Sequence, residues 1–277
     1  MKNLELNLKC DRAQKSVIAS QYTAYPLRMS PVLRLDNKNR HCAYLYMMNT
    51  SPGLLAGDEL NIKLTMAENT NLYLTDQAAT KVHPMPQLDT IARVNNEIEL
   101  AANATLEFIP EPLILYQDAA LEQTTRIKLH STARLFFSEI ILPGRLARGE
   151  SYQFRYYFNR LQVSSLSGEV YCQEAVRLEG KLNPFKESKL FASMPVIGSA
   201  IVILPQTNLQ ALRDTLEDLQ TAECQNLNVA CSILPDNKGL LIRALANTTG
   251  SIKKYLQYAA NCVRCSCDRS ILPYIAK

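Results

Sequence analysis

The 277-residue sequence contains no tryptophan and only three histidines, His41, His83 and His130. Few Ser-His-Asp or Cys-His arrangements are therefore open to it, and no serine lies in a G-x-S-x-G elbow. The phosphate-binding G-x-x-x-x-G-K-[ST], the dinucleotide-binding G-x-G-x-x-G and the zinc-binding H-E-x-x-H are absent as well. The chain thus lacks the parts for nucleotide hydrolysis and zinc-protease chemistry, and any enzymatic activity would depend on carboxylates.

Long apolar runs and a strong excess of charge are also missing. The longest apolar run, 195–204, is interrupted by Gly198 and Ser199, and it is far shorter than the ~20 residues of a membrane helix. Residues 1–15 have no apolar core of a secretory signal, and a net charge of +4 is too small to indicate nucleic-acid binding. Since the eight cysteines are irregularly spaced in a chain large enough to fold without disulfides, we predict free thiols and a cytoplasmic location.

From residue 15 to about 205 the sequence predicts many short strands. Three segments share one spacing, in which an apolar strand end, five turn-like residues and a new apolar alternation follow one another: 66–74, 100–108 and 129–137. They are separated by 34 and then 29 positions. A repeat of this length favours stacked β units, as in a solenoid or coiled sheet, although unrelated hairpins would give a similar pattern.

Beyond residue 205 the period of the apolar residues changes to three and four. A first helix is predicted from Thr207 or Asn208 through Leu219, followed by strands over 226–234 and 240–245 and a second helix capped by Ser251. We therefore predict one domain over 1–277, with a β-rich body at 15–205 and a mixed α/β part at 206–277. The predicted fold class is mainly β, with solenoid-like stacked sheets and two helices in the C-terminal third.

Carboxylates gather at the ends of the apolar strands. A carboxylate inside an apolar strand pattern is costly unless it is paired or hydrated, so each one faces either solvent or a polar interior. Solvent is the simpler interpretation for any single residue, but several inward carboxylates would form a hydrated anionic passage that binds a divalent cation weakly. The residues concerned are Asp58, Asp76, Glu107, Glu111, Glu139 and Glu150.

Three further features carry reactive or charged groups. Arg145 and Arg148 lie in a loop bounded by glycines, where their guanidinium groups would bind carboxylates of a partner or form internal ion pairs with Glu150 or Glu139. Lys81 has the same two interpretations. The thiols of Cys262, Cys265 and Cys267 are possible metal ligands, but a helix face of this kind favours cysteines that pack as small apolar residues.

Several of these segments resemble a known protein family. The sequence Gly-Leu-Leu-Ala-Gly-Asp at 53–58, followed by Thr-Asp-Gln-Ala-Ala-Thr-Lys-Val at 75–82, resembles the core signature of the urease accessory proteins called UreD in some bacteria and UreH in others. The resemblance continues at 26–28, 106–112 and 139–150, and it covers residues 15 to 180 best. In combination these motifs are far more specific than any one of them.

The resemblance implies a non-catalytic protein of urease maturation with a β-solenoid-like fold and a few helices. Such a protein binds apo-urease, recruits UreF and through it the GTPase UreG, and helps to conduct nickel; it holds no tight cofactor, only transient Ni²⁺, and needs neither nucleic acid nor membrane. The expected nickel path comprises Asp58, Asp76, Glu107, Glu139 and Glu150. The expected partner or structural positions are Gly57, Gln77, Lys81, Arg145 and Arg148.

Two rival hypotheses remain from the sequence. A carboxylate-dependent β-solenoid enzyme acting on polysaccharide would need two carboxylates about 5 to 10 Å apart and aromatic sugar platforms, and the lack of tryptophan counts against it. A purely structural adaptor, through which no ion passes, is the other.

Overall fold

Two facing β-sheets make up most of the structure, a computed structural model that describes residues 2–36, 40–180, 187–218 and 226–276. The outer sheet contains, in spatial order, β14 (Val170–Leu178), β13 (Tyr156–Ser165), β11 (Ala120–Leu129), β8 (Ala92–Leu100), β5 (Glu59–Met66), β1 (Leu4–Cys10) and β2 (Ser16–Thr23). The central sheet contains β16 (Leu227–Ile233), β17 (Leu240–Ala246), β15 (Val196–Ile203), β12 (Arg134–Leu142), β9 (Thr105–Phe108), β6 (Asn71–Asp76), β4 (Ala43–Asn49) and β3 (Leu27–Met29). Two short strands, β7 (Thr80–Val82) and β10 (Leu113–Leu115), extend it beside the end of β12.

The chain alternates between the two sheets from β4 to β13, and each long strand pairs in parallel with its predecessor in the same sheet. In the outer sheet Leu100 pairs with Met66 on one side and Leu129 on the other. In the central sheet Leu106 pairs with Leu72 and Leu135. The separations of 34 and 29 residues in the sequence are therefore the registers of neighbouring parallel strands.

The predicted mainly β class is confirmed, and both sheets are mixed. Antiparallel pairs flank the parallel strands. In the outer sheet these pairs are β1 with β2 and β13 with β14. In the central sheet they are β12 with β15, β15 with β17 and β17 with β16. The β-rich part also begins earlier than the predicted residue 15. Residues 4–10 form β1 of the outer sheet. Leu4, Leu6 and Leu8 alternate along this strand, and their side chains are buried against the other sheet.

An apolar core fills the space between the sheets. Alternate residues of most outer-sheet strands point into it, as in β5, where Leu60, Ile62, Leu64 and Met66 are buried and their neighbours are more exposed. Aromatic rings of the central sheet also fill it, and Phe108 and Phe137 form an edge-to-face contact with 5.6 Å between ring centroids. Burial of these side chains is the main stabilisation of the sandwich.

A second core lies on the far face of the central sheet, where helices cover it. Helices α2 (Leu209–Asp218) and α3 (Thr249–Cys265) bury Leu212, Leu216, Ile252 and Leu256 against that face. A third, short helix, α1 (Lys189–Ser193), adds to the two that the sequence predicts. The central sheet is therefore buried on both faces, while the outer sheet has one face in solvent.

The C-terminal elements follow their predicted positions closely. The Asn208 side chain accepts a hydrogen bond from the Ala211 N–H at 3.1 Å and begins α2, while Leu219 lies outside the described residues. The predicted cap of α3 is wrong by one turn: Thr248 is the N-cap, and its hydroxyl accepts the Ser251 N–H at 3.1 Å. No helix among the described residues is long and apolar enough to cross a membrane.

Candidate functional site

The parallel strands of the central sheet all end on the same side of the molecule. Strands β4, β6, β9 and β12 end at Asn49, Asp76, Phe108 and Leu142. The loops that follow them contain the sequence motifs, which lie far apart in the chain. Parallel strands bring these loops together because their carboxyl ends share one edge of the sheet.

A cavity of about 110 Å³ lies between the two sheets behind this edge. We call it the inner cavity. This volume has room for several water molecules. Three carboxylates line it. They are Asp76 at the end of β6, Glu111 in the loop after β9 and Glu139 within β12. Apolar side chains of both sheets make up most of the remaining wall.

Glu139 is the carboxylate that lies within a strand, between the two sheets. It lies on the face of β12 that points toward the outer sheet, and it accepts hydrogen bonds from the amide groups of Gln123 and of Asn159, the latter at 2.8 Å. Burial between the sheets raises the pKa of Glu139 to about 7, although the two amide donors favour its charged form. Near neutral pH this group therefore exists in both protonation states.

Unpartnered polar atoms surround Glu139. The Tyr157 side chain is fully buried and lines the inner cavity, and its hydroxyl has no hydrogen-bond partner among the described residues. The Oδ1 atom of Asn159, a residue that is 7% exposed, likewise has none within that part of the chain. Buried polar atoms of this kind normally bind water or an ion. The wall beside Glu139 is thus built for a polar occupant.

Asp76 and Glu111 lie closer to the edge and are linked to each other. The Glu111 backbone N–H donates to Oδ2 of Asp76 at 3.3 Å. Pro110 and Pro112 flank Glu111 and restrict the backbone on both sides of it. The Glu111 carboxylate forms an ion pair with Lys253 of α3 at 2.8 Å.

The donor atoms of the inner cavity are carboxylate, amide and hydroxyl oxygens. Such atoms suit a hydrated divalent cation, while tight nickel sites normally add imidazole or thiolate ligands. Within the described ranges, no three His, Cys, Asp or Glu side chains converge as a closed metal site. The arrangement therefore fits weak, successive contacts with a cation rather than a permanent metal centre.

Three residues of the predicted nickel path lie elsewhere. Asp58 accepts the Leu55 N–H at 2.8 Å and closes the turn before β5. Glu107 points to the opposite face of the central sheet, where it is 2% exposed and binds Arg264. Glu150 accepts a hydrogen bond from Nε of Arg145 at 2.8 Å, and this partner holds the pKa of Glu150 below its usual range. Only Asp76 and Glu139 of the five line the inner cavity.

The predicted partner and structural positions collect around the same edge. Gly57 has φ +81, which favours glycine, and its N–H donates to the Ile91 carbonyl at 3.1 Å. Arg145 pairs with Glu150 and stacks on Tyr116 at 4.5 Å from the ring centroid, so the internal ion pair is the interpretation that the structure supports. Of the predicted positions with long polar side chains, Gln77, Lys81 and Arg148 are exposed.

The C-terminal cysteines do not form a metal site with other ligands in the described residues. Cys262, Cys265 and Cys267 are free thiols at the end of α3, and burial raises the pKa of Cys262. Cys262 and Cys267 pack against the helix-covered core, as the apolar interpretation expects of Cys262, whereas Cys265 is exposed and does not pack there.

Polar residues around Glu139 carry a signal in the sequence that the predictions above did not use. Asn96, Gln123 and Asn159 occupy positions that alternate with apolar residues on the inward face of their strands, as at Val94-x-Asn96-x-Ile98. A polar residue on an apolar face indicates a polar interior. Lys253 carries no such signal, because its partner Glu111 lies 142 positions away.

Comparison with known proteins identifies the family. The family described as "UreD urease accessory protein" matches residues 2–274 of the chain. The chain belongs to the UreD family. The "Urease accessory protein UreD" of Trichodesmium erythraeum is 54% identical over 99% of both chains. Those of Actinobacillus pleuropneumoniae serotype 5b and Cenarchaeum symbiosum are 28% and 24% identical, covering 90% and 95% of this chain and 92% and 91% of their own lengths.

UreD proteins are urease accessory proteins and not enzymes, so the prediction of a non-catalytic protein is confirmed. The rival hypothesis of a polysaccharide-acting enzyme is set aside on the same ground. Membership of the UreD family also implies a role in urease maturation and contact with urease and other accessory proteins.

Proposed function

We propose that this UreD-family chain is a scaffold and nickel conduit of urease maturation. In this proposal it binds apo-urease, recruits a UreF-like accessory protein and through it a UreG-like GTPase, and helps Ni²⁺ to reach the urease active site. One observation supports it above all: the family's sequence motifs meet at the edge of a cavity that three carboxylates line.

The inner cavity gives the conduit its physical basis. The strands from β4 to β13 alternate between the sheets like the turns of a solenoid-like coil, and we interpret the space inside as the passage. Asp76, Glu111 and Glu139 would contact a hydrated Ni²⁺ in turn, and the absence of a closed ligand set in the described residues lets the ion leave again. Energy would come from the GTPase, which agrees with the lack of a phosphate-binding loop in this sequence.

The partners would dock around the same edge. Gln77, Lys81 and Arg148 are exposed there, and an arginine offers a planar pair of donors to a partner carboxylate. We place this assembly in the cytoplasm. Every cysteine of the described residues is a free thiol, which supports a reducing compartment.

The scaffold part of the proposal is tested by a pull-down with the purified full chain. We expect it to retain apo-urease and a UreF-like protein, and to retain a UreG-like GTPase only when UreF is present. A folded chain that retains neither apo-urease nor UreF would contradict the proposal.

The conduit part is tested separately by Asp76→Asn and Glu139→Gln. If Ni²⁺ passes these carboxylates, complex assembly stays normal while urease activation in the reconstituted system falls several-fold. Glu97→Gln, at an exposed position on the outer sheet, is the matched control. Normal activation by both cavity variants would favour the rival in which the chain is an adaptor and no ion passes through it.

A further inference from the structure

A second cavity adjoins the inner cavity on the helix side of the central sheet. It has a volume of about 270 Å³ and lies beneath α3 and the C-terminal segment 270–276. We call it the helix-side cavity. Tyr73, Leu256 and Tyr274 form part of its wall, and the Tyr46 hydroxyl holds the segment by donating to the Ala276 carbonyl at 2.8 Å. Pro110, Glu111 and Ile140 line both cavities.

An ion pair lies at the boundary between the two cavities. Nζ of Lys253 is 3.0 Å from one carboxylate oxygen of Glu111 and 2.8 Å from the other. The two side chains differ in exposure, since that of Glu111 is 10% exposed and that of Lys253 is 44% exposed. The carboxylate is thus held within the protein, while the ammonium is able to move into water.

We propose that Lys253 is a gate residue, whose ammonium occupies the Glu111 carboxylate and closes the inner cavity to a divalent cation arriving from the helix-side cavity. Movement of Lys253 into solvent takes its ammonium away from the carboxylate, lets the cation approach in its place and joins the two cavities. This gate rests on the proposed conduit, because it regulates the same passage.

The positions of the two residues in the fold suit this role. The prolines on either side and the hydrogen bond from its N–H to Asp76 restrain the backbone of Glu111, and its side chain, 10% exposed, is packed at the boundary. Lys253 lies in the first turns of α3, whose far end is anchored by the buried Arg264. A flexible lysine stem therefore moves while the helix stays in place.

Electrostatics makes the ammonium a competitor of the cation. Lys253 and a metal ion need the same carboxylate oxygens, and their like charges repel each other at close range. Removing the positive charge while keeping the length of the side chain should consequently strengthen cation binding at Glu111. Lys253→Met makes this change, and Lys254→Met removes the charge of the exposed neighbouring residue as a matched control.

The test is a Ni²⁺ titration of the purified full chain, followed by paramagnetic broadening of amide NMR signals. This readout is site-resolved, so binding by the histidines or by Cys265 is separated from binding at Asp76, Glu111 and Glu139. In Lys253→Met we expect half-maximal broadening around Glu111 at about tenfold lower Ni²⁺ concentration than in the wild type. A factor of ten corresponds to one pKa unit, which is the smallest change that a neighbouring opposite charge usually makes to the proton affinity of a carboxylate. Lys254→Met should titrate like the wild type.

The same substitution in a Glu111→Gln background completes the test. If the lysine acts through this carboxylate, Lys253→Met no longer changes the titration there. An equal gain in Lys254→Met, or an unchanged titration in Lys253→Met, overturns the gate. Absence of broadening in the inner cavity of the wild type and of every variant contradicts the proposed conduit itself, so the two failures are distinguishable.

Discussion

Glu139 loses its proton at a higher pH than an exposed glutamate because it lies between two sheets. Its carboxylate accepts hydrogen bonds from the amides of Gln123 and Asn159, and the nearby charge of Arg243 also favours ionisation, but burial outweighs both. The Tyr157 hydroxyl beside the cavity has no hydrogen-bond partner among the described residues. A group that titrates near neutral pH in a cavity is a functional candidate. Its ionisation also has a consequence for stability.

The raised pKa of Glu139 predicts a loss of stability as pH rises. The pKa is about 7 in the folded chain and 4.5 in the unfolded one, so between these values only the folded state keeps the proton, and the free energy of unfolding falls with increasing pH. The loss levels off above about pH 7 and amounts to at most roughly 3 to 4 kcal/mol. Glu139→Gln should remove it, as measured by urea unfolding at several pH values in metal-free buffer. Glu97→Gln should behave like the wild type, and a Glu139→Gln variant with the wild-type pH dependence would contradict the assignment.

Alanine substitutions at the two glycines of the 53–58 motif should lower the free energy of unfolding by very different amounts. A Cβ atom at Gly53, which has φ +149, would lie 2.4 Å from the Lys81 carbonyl oxygen, whereas a Cβ at Gly57, with φ +81, meets nothing within 4 Å. Gly57→Ala should therefore cost only the strain of positive φ, about 1 kcal/mol, and Gly53→Ala about 3 kcal/mol or more. Urea unfolding of both variants measures this. Equal losses would show that the close approach to Lys81 has no energetic weight.

At the scale of elements, α3 is held on the central sheet by a buried ion pair as well as by its apolar face. Arg264 is 1% exposed and donates to both carboxylate oxygens of Glu107, at 2.7 and 2.8 Å, and to the Tyr44 hydroxyl at 3.1 Å. Arg269 lies 3.1 Å from the same carboxylate. Strand β9, helix α3 and the C-terminal segment thus share one charge network.

Breaking that network should destabilise the chain strongly. Arg264→Met leaves Glu107 charged and buried with only Arg269 as counter-ion, and the loss of one partner of such a pair costs about 3–5 kcal/mol. Arg269→Met, at a more exposed position, should cost less, and Glu107→Gln combined with Arg264→Met should recover part of the loss. Chemical unfolding measures all three. A small effect of Arg264→Met would mean that apolar packing alone fixes α3.

At the scale of the whole molecule, the central sheet joins both cores. Its inward face packs on the outer sheet, and its far face packs on α2 and α3. A sheet shared in this way couples the β-rich body to the C-terminal part, although the sequence divides them near residue 205. The division is therefore one of local periodicity and predicts nothing about separate folding.

We predict that the chain unfolds in one cooperative transition. Far-ultraviolet circular dichroism reports the strands, and near-ultraviolet signals report the buried tyrosines, since the chain has no tryptophan. The two transitions should coincide in urea, because Tyr157 lies between the sheets and Tyr255 of α3 is buried in the helix-covered core. Separate transitions would contradict the prediction of one domain over 1–277. Arg264→Met is the variant in which the helix-covered part should unfold first if the coupling depends on the ion pair.

The sequence determined the local elements and the spacing at which neighbouring parallel strands pair. Period-two alternation over 60–66 and period three and four over 209–216 placed β5 and α2, and the repeat at 66–74, 100–108 and 129–137 anticipated the register of both sheets. The motifs identified the family. These features depend on neighbouring residues and on spacing along the chain, which a sequence displays directly.

Only the tertiary structure decided which carboxylates share a cavity. Glu107 and Glu139 lie in similar apolar strands, yet one faces Arg264 beneath the helix and the other faces the inner cavity. The central sheet is buried on both faces, so alternation no longer separates inside from outside, and the sequence cannot assign a face. The pair of Glu111 with Lys253 joins residues far apart in the chain, and it exists because the packing of α3 on the sheet brings them together.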